Sequence, residues 1–83
     1  MAHERRYTVI VEEDETGGFV ASAPAFPGVV DQGDTEDEAV TNLRAALIFT
    51  IECMAEEGEE LPASDVRRRV VRRRVVREVE LAV

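Results

Sequence analysis

The stretch DTEDEAVTNLRAALIFTIECMAEEGEE, residues 34–60, commits the middle third of the chain to one long amphipathic helix. Thr35 and Glu38 form an S/T-x-x-E capping box, in which each side chain satisfies a backbone donor of the other residue at the helix start. Glu36, Asp37 and Glu38 also place negative charge at the positive end of the helix dipole. Apolar residues then recur at Ala39, Val40, Leu43, Ala46, Leu47, Ile51 and Met54, at spacings of three and four, and Gly58 supplies a stop. The pattern predicts a helix over residues 35–57 whose buried stripe packs on a sheet.

The flanking sequence supplies that sheet. In RRYTVIVEED, Tyr7, Val9 and Val11 fall on one side and Thr8, Ile10 and Glu12 on the other, with β-branched residues dominant, which predicts a strand. DETGG at 14–18 is turn chemistry and FVASA at 19–23 resumes the extended pattern, so the two form a hairpin. Pro24 and Pro27 each remove a backbone donor and push the preceding residue toward extended geometry, so PAFPG ends the second strand or runs along a sheet edge. Residues 29–32 form a third short strand before Gly33. After the helix, LPASD and the near repeat VRRRV at 66–70 and 71–75 make residues 61–74 a linker and Arg-rich segment. Val75, Arg77, Val79, Leu81 and Val83 alternate with more polar neighbours, which predicts a terminal strand over 75–82. The expected fold class is α+β: a three-stranded antiparallel sheet (β-β-β), one long helix packed on it, and a C-terminal strand. A single domain spans 1–83, with 1–5 a flexible N-terminus.

A domain of 83 residues buries only about 60–65% of the surface its unfolded chain exposes, so a second copy would help it. The expectation is a homo-oligomer, dimer or tetramer, joined through sheet edges. Cys53 stands alone, so no intrachain disulfide forms. No apolar run approaches the roughly 18 residues of a membrane span, and MAHERRYTV lacks the apolar core of a signal peptide, so a cytoplasmic protein is the default. The net charge of −8 is unevenly spread: residues 1–64 carry fifteen acids against three Arg, and residues 65–83 seven Arg against three acids. An acidic body argues against nucleic-acid binding through the main fold and for basic partners.

Little in the chain suggests chemistry. Asp14, Asp31, Asp34 and Asp37 lack any EF-hand spacing, and Asp34 and Asp37 are better explained as helix-start residues than as metal ligands. His3 lies in a polar terminus without a partner, and Cys53 falls beside the apolar stripe, where a half-buried thiol is ordinary. The expectation is a protein that is not an enzyme and uses neither metal nor cofactor. One tension remains. The helix ends in Glu56, Glu57, Glu59 and Glu60, against the negative pole of its own dipole, where basic residues are favoured. Arg67, Arg68, Arg69, Arg72, Arg73 and Arg74 follow a few residues on, and the expectation is that they fold back as countercharge. The alternative is a nonspecific phosphate contact to nucleic acid, since no aromatics are interleaved. These ten residues are the partner-binding candidates.

Three motifs in order carry a family resemblance. Tyr7 precedes a hairpin with Gly17, Gly18 and Phe19; P-x-x-P-G follows as Pro24, Phe26, Pro27 and Gly28; G-x-T-x-x-E-A follows as Gly33, Thr35, Glu38 and Ala39, with Asn42 one helical turn on. Over residues 6–58 the chain resembles the HicB-like antitoxins. The resemblance implies a small, partly eroded ribonuclease-H-like fold and a protein that binds and masks a small basic toxin ribonuclease. Longer members add a C-terminal DNA-binding domain that represses their operon. This sequence departs there, with only an Arg-rich tail and one strand after residue 60, too short for a ribbon-helix-helix or helix-turn-helix module. The alternative the resemblance leaves open is a stand-alone protein with a structural or regulatory role, its Arg-rich tail contacting nucleic acid.

Overall fold

Alternating β-branched residues put Glu4–Glu13 into a ten-residue strand, β1. The computed structural model describes residues 4–65 and 74–82. The chain turns at Asp14, whose carbonyl accepts from Gly17 N at 3.0 Å and whose amide donates to Gly18 O at 3.0 Å. β2 (Phe19–Ser22) returns antiparallel, from Phe19 opposite Glu13 to Ser22 opposite Ile10. PAFPG then makes two successive turns, Phe26 N donating to Ala23 O and Val29 N to Phe26 O, before β3 (Val30–Gly33) pairs antiparallel with β2. These turns drop the Phe26 ring into the core, edge-on to Tyr7 with ring centroids 4.8 Å apart.

The helix α1 (Glu36–Glu57) starts and stops where its sequence dictates. Thr35 is extended and its Oγ1 accepts from Glu38 N at 3.1 Å, while the Glu38 carboxylate does not return a bond to Thr35, so half of the capping box forms. At the other end Gly58 adopts φ 72°, Gly58 N donates to Ala55 O at 3.2 Å and Glu59 N to Met54 O at 2.9 Å, the paired bonds of a Schellman stop. β4 (Arg74–Ala82) adds to the far side of β1, from Glu4 opposite Ala82 to Glu12 opposite Arg74. All four strands therefore belong to one antiparallel sheet of order β3-β2-β1-β4, and the C-terminal strand extends the three-stranded unit by one. The first strand begins at Glu4 and the last at Arg74.

The core lies between one sheet face and the helix stripe. Tyr7, Val9 and Val11 from β1, Ala21 from β2, Ala23 and Phe26 beyond it, and Val79 and Leu81 from β4 are buried with Ala39, Val40, Leu43, Leu47 and Ile51. Ala46 and Met54, at the margins of the predicted stripe, are half-buried. α1 lies chiefly over β3 and β2. Two features of the β3–α1 junction fix that placement. Gly33 meets the first turn of the helix so closely that a Cβ there would lie 2.5 Å from Ala39 N, and Asn42 Nδ2 donates to Gln32 O at 2.8 Å.

Residues 62–65 perform a task that their sequence does not advertise. β2 reaches only to Ile10, so the start of β1 lacks a strand on that edge. There Asp65 N donates to Arg6 O at 3.0 Å, Arg6 N to Ser64 Oγ at 3.2 Å, and Thr8 N to Asp65 Oδ1 at 3.0 Å. The Asp65 carboxylate stands in for a strand carbonyl, and the Asp65 carbonyl accepts from Thr8 Oγ1 at 3.3 Å, contacts that accompany the full burial of Thr8 on the side expected to face outward. Asp65→Ala removes the acceptor of a buried amide and should cost about 1–2 kcal/mol, while Asp65→Asn keeps the Oδ1 and should cost less than half of that. Thermal melts of the two variants check the ranking; equal losses would refute it.

Candidate partner interface

Two acidic regions stand at opposite ends of α1, about 33 Å apart for a helix of 22 residues. The first surrounds its start. Asp14, Asp34 and Glu38 line a depression of about 310 Å³ together with Thr16, Gly17, Phe19, Gln32 and Gly33, and Asp34 and Glu38 are exposed. Asp14 is tied locally, its Oδ2 accepting from Thr16 Oγ1 at 2.7 Å. Beside the depression, Asp37 and Glu36 receive Arg77 from β4, with Arg77 NH1 2.8 Å from Asp37 Oδ1 and 3.5 Å from Glu36 Oε1. Among the described residues no group of three or more His, Cys, Asp or Glu is arranged to hold a metal ion.

The second region is the helix end, where Glu56, Glu57, Glu59 and Glu60 are all exposed and the last turn holds no basic residue. The Schellman bonds satisfy part of the terminal backbone but leave four carboxylates beside the negative pole of the helix, a concentration of negative potential that favours a cationic partner. Of the Arg candidates for that role, Arg67, Arg68, Arg69, Arg72 and Arg73 lie outside the described residues. Arg74 is described, and its backbone sits opposite Glu12. The helix end, by contrast, lies near Leu61 and Leu81, which line one groove with Ala55. Seven residues of extended strand separate Arg74 from Leu81, about 24 Å, so the structure does not bring Arg74 to the acidic helix end.

Arg77 is the residue that sequence reasoning passed over. It occupies the apolar row of β4 with Val79 and Leu81, where an uncompensated guanidinium would be costly, and it reaches the helix start instead. An arginine on the core-facing row of a strand, in a chain whose helix opens with three acids, is the signal that would have found it.

The other exposed chemistry is apolar. Between α1 and β4 runs a groove of about 390 Å³ lined by Arg44, Ile48, Ile51, Glu52, Ala55, Leu61 and Leu81. Ile48 is 38% and Phe49 67% exposed. Cys53 is half-buried, as its place beside the stripe predicts. No helix among the described residues is long and apolar enough to cross a membrane.

Comparison with known proteins places this arrangement. A UPF0150 protein of Thermoplasma acidophilum is 40% identical over 57 residues, covering 69% of this chain and 83% of that protein. Antitoxin HicB 1 of Photorhabdus laumondii is 40% identical over 57 residues, which are 69% of this chain and 37% of the antitoxin. The crystal structure of the N-terminal domain of the Burkholderia pseudomallei antitoxin HicB superimposes with a TM-score of 0.76 at 27% identity, covering 92% of this chain and 96% of that domain. The family described as HicB_like antitoxin of bacterial toxin-antitoxin system matches residues 7–77. With the hairpin turn, the glycine-tight β3–α1 junction, the whole helix and the start of the fourth strand inside the matched span, the chain belongs to the HicB-like antitoxin family.

Proposed function

We propose that this chain is a noncatalytic type II antitoxin module that binds and neutralises a small basic toxin ribonuclease in the cytoplasm. The observation that carries this reading is the exposed carboxylate surface, above all Glu56, Glu57, Glu59 and Glu60 at the end of α1. A basic ribonuclease must present cationic side chains to its RNA, and an acidic surface competes for those side chains. The family supports the reading from a second direction, since relatives carry the name antitoxin. The residues of the three motifs say less about partners, because Tyr7, Gly33, Thr35 and Asn42 are all occupied in holding the fold together.

The reading requires a small basic reading frame beside this gene, whose expression should arrest growth and whose arrest co-expression of this chain should relieve. Arrest that persists with the chain fully expressed and folded, or an adjacent product without toxicity, would overturn the proposal.

A further inference from the structure

Among the described residues two of the three exposed large apolar side chains, Ile48 and Phe49, lie on the helix and the third, Val30, on β3, yet the sheet edges expected to join copies are poorly suited to doing so. β3 is four residues long and ends in Gly33, while β4 carries Arg74, Arg77, Glu78 and Glu80, and short or charged edges discourage strand addition. The helix presents the opposite character. Arg44, Ile48 and Glu52 form one exposed row at spacings of four, flanked by exposed Thr41, Ala45 and Phe49. The apolar groove over Leu61 and Leu81 runs along the same flank, because α1 lies chiefly over β3 and β2 and leaves the β4 side of the sheet less covered.

This row is self-complementary under reversal. Arg44 and Glu52 stand four residues to either side of Ile48, and neither makes an ion pair with another described residue. Two such rows running antiparallel about a two-fold axis at Ile48 bring isoleucine against isoleucine at the centre and arginine against glutamate at both ends. Rows of this i±4 kind are the ridges that interdigitate when helices pack, and the small side chains of Thr41 and Ala45 beside it permit close approach. An isologous contact demands a patch that complements itself, and this patch does so in both charge and hydropathy.

We propose that two copies of this chain form a dimer by antiparallel packing of α1 about Ile48, with Arg44 of each copy paired to Glu52 of the other. The inference is tested without a toxin and concerns the middle of α1, although Glu56 continues the same row one turn beyond Glu52.

Sedimentation equilibrium at micromolar concentration should return a dimer mass for the parent protein. Arg44→Glu and Glu52→Arg should each weaken dimerisation by about tenfold or more, because each sets like charges opposite at both ends of the contact. The double variant should recover to within about threefold of the parent. Within one chain the two positions are eight residues apart and do not meet, so recovery reports a contact between copies. Ile48→Glu should give a monomer, and all four variants should keep the parent's far-ultraviolet circular dichroism because the positions are exposed. A monomeric parent, a dimer indifferent to the single replacements, or a double variant that fails to recover would each overturn the proposal.

Discussion

Replacing Gly33 by alanine should destabilise the domain by about 2–4 kcal/mol and lower its melting temperature by roughly 10–25 °C, although it adds only one methyl group. The added carbon would lie 2.5 Å from Ala39 N, 2.8 Å from the Glu38 carbonyl carbon and 2.9 Å from Glu38 Cβ. Two of those three atoms are backbone in the first turn of the helix, so a rotamer change cannot relieve the contact. Either β3 or the helix start must move, and both are tied down, by the Asn42–Gln32 bond and by the Thr35 cap. Gly58→Ala is the comparison. It forces a left-handed φ of 72° on a residue with a side chain but meets nothing within 4 Å, and should cost about 1 kcal/mol. Equal losses at the two sites would show that close approach does not fix the junction.

Tyr7→Ala should cost about 3–5 kcal/mol, a large share of the roughly 5–15 kcal/mol that holds a domain folded. Tyr7 is fully buried, its ring meets Phe26 edge-on, and its hydroxyl donates to Pro62 O at 2.8 Å. The residue therefore joins β1, the PAFPG turns and the segment after the helix through one side chain. Tyr7→Phe separates the two contributions: it keeps the ring contact, gives up the bond to Pro62, and should cost about 1 kcal/mol. Arg5 NH1 also donates to Pro62 O, at 3.2 Å, so this carbonyl keeps a partner in the phenylalanine variant. Urea denaturation of the two variants measures the difference, and a phenylalanine variant as unstable as the alanine one would place the energy in the hydroxyl rather than in the ring.

How much of this was legible depended on how local each signal is. The helix limits, the hairpin and the alternation of β4 follow from residues that interact within a few positions, and the structure gives a helix over Glu36–Glu57 capped by Thr35 and closed at Gly58. The third strand was legible to within a residue, since Gly33 both ends it and meets the helix. Residues 62–65 were not legible as anything but linker. Their partners are Arg5, Arg6, Tyr7 and Thr8, more than fifty positions away, and their bonds use backbone carbonyls, an amide, the Ser64 hydroxyl and the Asp65 carboxylate, which leave no periodic trace. The same holds for Arg77, whose meaning depends on Glu36 and Asp37 some forty positions earlier. Of the candidate interface, the acidic helix end could be read from composition alone. The exposed row Arg44–Ile48–Glu52 could not, because only the placement of the helix over β3 and β2 shows which flank is left open.

The measurement that bears most directly on the account is a titration of RNA cleavage by the small basic ribonuclease that the proposed function requires as this chain's partner. Added to the purified ribonuclease at physiological salt, the parent protein should abolish cleavage near stoichiometric amounts. Replacing Glu56, Glu57, Glu59 and Glu60 together by Gln should raise the concentration needed by about tenfold or more and flatten its dependence on salt, because exposed charge steers and holds a cationic partner through a screened field. Cleavage that continues unchanged at saturating parent protein would contradict the account, and so would a quadruple variant that inhibits as well as the parent at every salt concentration.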